Sequence, residues 1–185
     1  MYKIICSLFC LAAVLTSCKK KQNPFEISRH HIGLLTDSTE VKDLKHIYAN
    51  DSIVRFIGGD EFMGTVNNIE IFEKGGNKLL TLMPKHALDS TSTISGIRII
   101  DNRFKTDKNL SSISVFKDID SHYKISRISN LINSIVIIVD EINASFTIDK
   151  NELPANLRFD MDLNFESTHI PDQAKIKYFF INWLN

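Results

Sequence analysis

The residue whose chemistry the sequence marks most clearly is Cys18, which ends the segment Leu15-Thr16-Ser17-Cys18. A positive start at Lys3 is followed by a nearly unbroken apolar run from Ile4 to Val14. A positive end, an apolar run and small residues in this order are the layout of a secretory signal peptide. The run is shorter than the roughly 20 apolar residues that a spanning helix needs. The sequence therefore predicts export without a mature transmembrane helix.

The segment Leu15-Thr16-Ser17-Cys18 also resembles the lipobox of bacterial lipoproteins, in which an aliphatic residue and two small residues precede a cysteine. The resemblance implies that the Cys18 thiol receives a diacylglyceryl group, that residues 1–17 are removed, and that the new amine is acylated, for example with palmitate. Each buried methylene contributes about 0.8 kcal/mol, so two or three chains hold a protein on a membrane. The alternative is an ordinary signal peptide that is cut elsewhere, with Cys18 incidental.

The rest of the chain carries no comparable chemical signal. Cys6 and Cys10 lie in the apolar run, which leaves Cys18 as the mature chain's cysteine and excludes a disulfide framework. The chain has no Gly-x-Ser-x-Gly elbow and no glycine-rich phosphate loop. The stretch from Asp160 to Glu166 departs from a calcium loop, because Phe165 stands where a glycine is needed. We expect no catalytic residue, no metal site and no cofactor, and a protein that is not an enzyme.

Charge and length favour a single exported domain. The chain has 22 basic and 22 acidic residues, so no strong field draws it to nucleic acid, and we expect no nucleic-acid partner. We divide it into a signal peptide (1–17), a lipidated polar tether (18–30) and one globular domain (31–185). The tether begins with lysines instead of acidic residues. By resemblance to other lipoproteins, this favours an outer-membrane position that faces the periplasm.

Local patterns predict both helices and strands. The segment Asp37-Ser38-Thr39-Glu40 has the spacing of a helix cap, and apolar residues at helical spacing follow it to about Ala49. The paired glycines Gly75-Gly76 separate two β-type runs, 66–73 and 78–83, which predicts a hairpin.

We interpret part of the chain as an internal repeat. Residues 41–48 align with residues 116–123 at a constant offset of 75, with Lys, Asp and Tyr identical. A second helix, capped by Ser114, would then begin the second unit. We interpret Tyr48 and Tyr123, the matched tyrosines, as core residues in preference to recognition anchors.

The predicted fold class is therefore α+β. It consists of two tandem helix-then-three-antiparallel-strand units, in repeat-like halves at about 34–84 and 109–154, which form a largely antiparallel sheet. Two further C-terminal strands are predicted at 159–166, where apolar and polar residues alternate, and at 175–183, which is strongly aromatic.

This order of elements behind a lipobox resembles the small envelope lipoproteins of the barrel-assembly (BamE-like) type and the tandem-repeat fold of secreted β-lactamase inhibitor protein. The stretches 139–144 and 170–178 are also similar to uncharacterised lipoproteins of Gram-negative envelopes. Anchoring without a catalytic signal favours a lipid-anchored, non-enzymatic protein-binding or assembly module. Its partners would be the membrane, through the lipid on Cys18, and an envelope protein. The alternatives are an inhibitor or immunity-type lipoprotein that uses the Gly75-Gly76 tip, a small-ligand binder, or an envelope hydrolase.

Replacement of Cys18 by serine tests the anchoring hypothesis. A serine hydroxyl cannot form the thioether, so Cys18→Ser should abolish incorporation of radiolabelled palmitate and leave an unprocessed or released protein. Cys10→Ser is the matched control, since that cysteine lies within the discarded run, and it should label normally. Unchanged labelling of the Cys18→Ser protein would overturn the hypothesis.

Overall fold

The computed structural model describes residues 23–60 and 64–183, and its dominant feature is an eight-stranded antiparallel sheet. The predicted lipobox and the Cys18 lipidation site lie outside the described residues.

Twelve strands and two α-helices account for most of the ordered structure in the described ranges. In chain order the strands are β1 (Glu26–Ile27), β2 (His31–Ile32), β3 (Leu35–Thr36), β4 (Ser52–Asp60), β5 (Gly64–Phe72), β6 (Lys78–Pro84), β7 (Ile94–Ile99), β8 (Lys105–Thr106), β9 (Arg127–Asn130), β10 (Ser134–Val139), β11 (Ala144–Asp149) and β12 (Ile176–Asn182). The helices are α1 (Leu44–Ile47) and α2 (Phe116–His122). Short 3₁₀ turns occur at Val41–Asp43, Asp140–Ile142, Lys150–Glu152, Ala155–Leu157 and Ser167–His169.

The strand order of the main sheet is β4-β5-β6-β7-β12-β11-β10-β9. It consists of two meanders, β4 to β7 and β9 to β12, which meet at the antiparallel pair β7 and β12. A second, four-stranded sheet has the order β3-β2-β1-β8.

One face of the main sheet forms the core. Burial alternates along β10 and β11, as a period of two requires for a strand with one buried face. Phe146 of β11 lies opposite Phe179 of β12, with ring centroids 4.6 Å apart. The same core contains Leu35 of the small sheet and Phe116 and Ile119 of α2, so both elements cover the sheet.

The small sheet depends on Gly33, which makes the turn between β2 and β3. Its φ is +56°, and a Cβ there would lie 2.3 Å from the carbonyl oxygen of Pro24. Only glycine fits both the left-handed backbone and this close approach. The indole N–H of Trp183 donates to the carbonyl of Arg29 at 2.9 Å, which links the end of the chain to this sheet.

The predicted α+β class with tandem helix-and-strand units is wrong, because the described structure is mostly β, with α2 as its one helix longer than a single turn. The helix predicted after Asp37 is a 3₁₀ turn followed by four α-helical residues. Backbone amides of Val41 and Lys42 donate instead to carbonyls of the loop before β7, at 3.0 and 2.8 Å. Tertiary hydrogen bonds thus hold a segment that is too short to be stable as a helix alone.

The strand predicted at 159–166 is also wrong, since this segment contains only turns and irregular structure. Asp162 N–H donates to the Asp160 carboxylate at 3.0 Å, which bends the chain where a strand would run straight. The segment predicted at 175–183 does form a strand, β12, but it lies at the centre of the sheet instead of adding to it after the two halves.

Two local predictions are confirmed. β5 and β6 form the hairpin, with Gly75 and Gly76 at φ of +121° and +95° in its turn. Tyr48 and Tyr123 are buried core residues. The Tyr123 hydroxyl donates to Asp107 at 3.0 Å, and burial raises the pKa of Tyr123 to about 12.

Phe179→Ala should strongly destabilise the fold, because it removes a fully buried ring from the central strand and leaves a cavity against Phe146. We expect a loss of about 3–5 kcal/mol in the free energy of unfolding, measured by urea denaturation. Phe159→Ala is the matched control: that ring is 89% exposed, and the change should stay within about 0.5 kcal/mol. Equal effects of the two substitutions would contradict this assignment of the core.

Candidate functional site

A cleft of about 530 Å³ opens where the turn between β9 and β10 meets the segment that follows β11. Its volume falls within the range of about 300–1,000 Å³ that is typical of ligand sites. Apolar side chains line one part of it, Ile132, Phe159 and Met161, and cationic side chains another, Lys150, Arg158 and Lys177.

The apolar part of the cleft is unusually exposed. Phe159 is 89% exposed and Ile132 is 76% exposed, and Met161 and the neighbouring Leu131 are exposed as well. Single exposed apolar residues are ordinary on protein surfaces, whereas several together mark an interaction site. Three of them converge on one cleft, so this surface is the leading candidate for binding.

Side-chain hydrogen bonds shape the irregular wall that carries Phe159 and Met161. The amide group of Asn130, at the end of β9, donates to the carbonyls of Asp160, Met161 and Leu163 at 3.0, 3.2 and 3.0 Å. These bonds do for the segment what a neighbouring strand would otherwise do, since they satisfy its backbone carbonyls.

Arg158 holds the preceding turn. Its Nε donates to the carbonyl of Leu153 at 2.8 Å, and its Nη2 donates to the carbonyl of Asn151 at 3.0 Å. Within the described residues these bonds use two of the five N–H groups of the guanidinium and no carboxylate.

Lys150 is the most unusual residue of the cleft. It follows Phe146 and Ile148 in the buried phase of β11 and is only 4% exposed. Its Nζ lies 3.5 Å from the sulfur of Met161 and 6.0 Å from the ring centroid of Phe165. Among residues 23–60 and 64–183, no carboxylate oxygen lies within salt-bridge distance of this ammonium group.

The carboxylate of the cleft, Asp149, already accepts hydrogen bonds from within the chain. It accepts from Lys177 Nζ at 2.8 Å and from the backbone N–H of Asn151 at 3.0 Å. The hydrogen bond from Lys177 and that from Asn151 hold the pKa of Asp149 below its ordinary value. Because Asp149 and Lys177 neutralise each other, Lys150 and Arg158 give the cleft its net positive charge.

The charges and apolar side chains of the cleft suit the binding of a ligand. No histidine, serine or cysteine is among the residues that line it. A cation beside exposed apolar side chains suits an anionic group carried next to an apolar one.

The residues that the sequence analysis singled out lie elsewhere. Cys18 is outside the described residues, and its lipidation stays a prediction. The Gly75-Gly76 tip is an exposed turn, and a Cβ at either glycine would meet no atom within 4 Å beyond its chain neighbours. Within the described residues, no three histidines, cysteines or acidic residues are close enough to hold a metal ion, which includes the stretch from Asp160 to Glu166. In the same ranges no helix has the length and hydropathy to cross a membrane.

The cleft was not predicted from the sequence, although the position of Lys150 breaks a pattern that can be read there. Ala144, Phe146 and Ile148 alternate with polar residues, and the next position in that phase is a lysine. A cation in the buried phase of a strand breaks the pattern and marks a position worth testing for function.

The fold, but not the sequence, is similar to a solved structure. The chain matches no protein-family model and no curated protein. Its fold is similar to that of the crystal structure of the uncharacterized protein yfeY from Escherichia coli. The TM-score is 0.57 at 16% sequence identity, and the match covers 85% of this chain and 99% of the other. At this identity the likeness shows the fold alone.

Removal of Lys177 tests the electrostatics of the cleft. Lys177→Met should raise the pKa of Asp149 toward its ordinary 3.8, because it removes the hydrogen bond and charge that favour the carboxylate. The pKa can be read from the pH dependence of the Asp149 carboxyl ¹³C shift. The neighbouring Lys175→Met is the control and should leave the titration unchanged.

The lowered pKa of Asp149 also fixes how the ion pair changes protein stability with pH. The folded pKa is lowered, so the pair stabilises the protein above the unfolded pKa of Asp149, and this contribution is lost as the pH falls through the folded value. An Asp149 titration that Lys177→Met does not move would show that the ion pair is absent in solution.

Proposed function

We propose that the protein is a lipid-anchored, non-enzymatic envelope protein, held by acyl chains on Cys18 at the outer membrane facing the periplasm, that binds a protein partner through the cleft. The observation that carries the proposal is the convergence of exposed Ile132, Phe159 and Met161 on one cleft with a net positive charge.

The composition of this surface suits a protein partner. Aromatic residues, methionine and arginine are enriched in protein interfaces, and the apolar anchors of such interfaces lie beside polar groups that set orientation. Phe159 and Met161 supply the anchors here, and Arg158 and Lys150 supply the charge. The complementary surface is an apolar patch with acidic groups beside it.

The tether supports recognition close to the membrane. Four residues, Lys19 to Gln22, lie between Cys18 and Asn23, where the described structure begins. Fully extended, the chain from Cys18 to Asn23 would span at most about 18 Å. An anchored protein on so short a tether would meet partners in or at the same membrane at a high effective concentration.

The inhibitor-type alternative depends on the Gly75-Gly76 hairpin tip. This turn projects into open space, which favours it sterically. However, it carries only Lys74 and Asn77 as side chains, with no large apolar residue to fill an active site. We therefore favour the cleft over the hairpin tip as the binding surface.

Site-specific photocrosslinking in intact cells tests the proposal. A photoreactive phenylalanine analogue at position 159 should give an adduct of defined mass with one protein, identified by mass spectrometry. The same analogue at position 113 is the control, because Ile113 is also strongly exposed but lines a different depression. The adduct should weaken in the Cys18→Ser background, which loses the anchor.

Two results would contradict the proposal. One is the same set of adducts at positions 159 and 113, which would show non-specific proximity. The other is the absence of any adduct at position 159 in cells where the protein is correctly anchored.

A further inference from the structure

We infer that the partner inserts a carboxylate, carried next to an apolar side chain, into the cleft, where the Lys150 ammonium and the Arg158 guanidinium bind it. The inference rests on the proposed function, because it takes the cleft as the binding surface and names the chemistry of what enters it.

The first argument is the missing counter-charge of Lys150. A buried cation is costly unless it is paired or hydrogen-bonded, and a thioether sulfur is a weak acceptor. The Met161 sulfur at 3.5 Å is the one polar contact of Lys150 Nζ in the described residues. Asp149, the neighbouring acid, accepts instead from Lys177 Nζ and from the backbone N–H of Asn151. An anionic ligand would supply the contact that the fold does not provide.

The second argument is that Lys150 is fixed in place. Its backbone N–H donates to the carbonyl of Asn133 at 3.0 Å, and Asp149 caps the 3₁₀ turn that begins at Lys150. Together these bonds join the end of β11 to the turn that carries Ile132. These bonds fix the backbone of Lys150, and burial of its side chain restricts the ammonium group, so little ordering is needed when a ligand enters.

The third argument decides between a carboxylate and a phosphate. A phosphate monoester carries close to two charges and several acceptors, and proteins bind it with clusters of arginines or backbone amides. Here two of the five N–H groups of Arg158 already bind backbone carbonyls, which leaves few donors for the several acceptors of a phosphate. One buried lysine and one arginine with free donors match a single carboxylate better.

The apolar neighbours define the rest of the ligand. Ile132, Phe159 and Met161 lie beside the two cations, so a group attached to the carboxylate can cover them. At about 530 Å³ the cleft has room for an acidic group and one large apolar side chain.

Octanoate is a suitable probe, because it joins one carboxylate to an apolar chain. Binding to the purified full chain can be followed through the ¹³C-methyl resonances of Ile132 and Met161. We expect saturable shifts with octanoate, and none at the same concentrations with methyl octanoate or octylammonium, which keep the chain but not the negative charge. Octyl phosphate should bind more weakly than octanoate.

Lys150→Met preserves the length of the side chain and removes its charge. It should weaken octanoate binding at least tenfold, while Lys124→Met, at an exposed lysine beside another depression, should not change it. Because Lys150→Met removes a lone buried charge, its urea midpoint should equal or exceed that of the unmodified chain. The comparison of octanoate with its methyl ester does not depend on any variant.

The outcomes separate this inference from the proposed function. Equal binding of octanoate and methyl octanoate, or tighter binding of octyl phosphate, would show that the cleft does not select a carboxylate. This would hold even if the adduct at position 159 persists. Octanoate binding that depends on Lys150, without any adduct at position 159, would contradict the proposal that the cleft binds a protein. It would show instead a site for free carboxylates. A tenfold loss of octanoate affinity together with a weaker adduct in Lys150→Met would support both.

Discussion

The pairing of β7 with β12 is the constraint on which the rest of the described structure depends. It places Ile99 opposite Phe179 and Ile97 opposite Ile181, and all four side chains are buried. Without it, the two meanders would each end in a long unpaired edge with an apolar face, which proteins avoid. The last strand of the chain therefore completes a sheet whose first main strand, β4, lies about 120 residues earlier. Such non-local pairing makes the order of strands in space very different from their order in sequence.

This constraint explains which parts of the fold could be predicted. The β5–β6 hairpin depends on a turn and on two adjacent runs, so its signal is local, and Gly75-Gly76 with the flanking alternation is sufficient. The position of β12 cannot be read in this way. Its aromatic sequence indicates burial, but the partners on its two sides, β7 and β11, are chosen by the packing of the whole core.

The helix predicted after Asp37 and the strand predicted at 159–166 were wrong for the same physical reason. The apolar spacing after Asp37 and the alternation at 159–166 are real patterns, but contacts from distant residues decide the backbone. Carbonyls at Ser90 and Ser92 take up the amides at the start of the first segment. The Asn130 side chain, about 30 residues away, takes up the carbonyls of the second. Tertiary hydrogen bonds of this kind override local propensity, and they leave no trace in a local pattern.

The two cations Arg103 and Lys150 differ in how many partners the described chain gives them. Arg103 donates to Glu73 and to Asp101 at 2.8 Å each, and its guanidinium lies 4.6 Å from the ring centroid of Phe25. Its partners are all supplied by the chain, and it lowers the pKa of both carboxylates.

Lys150 has the opposite character, because it is far more buried and yet, in the part of the chain that the structure describes, its ammonium group lies only near a sulfur and an aromatic ring. An apolar residue would continue the pattern of β11 better and would avoid the cost of a buried charge. A position that breaks the local rule without an evident compensating contact in the described residues is one where a functional or strained site is expected. The same logic accounts for Phe159 and Met161, whose apolar surface is exposed instead of buried. The proposed partner would supply the contacts that these three side chains lack within the described residues.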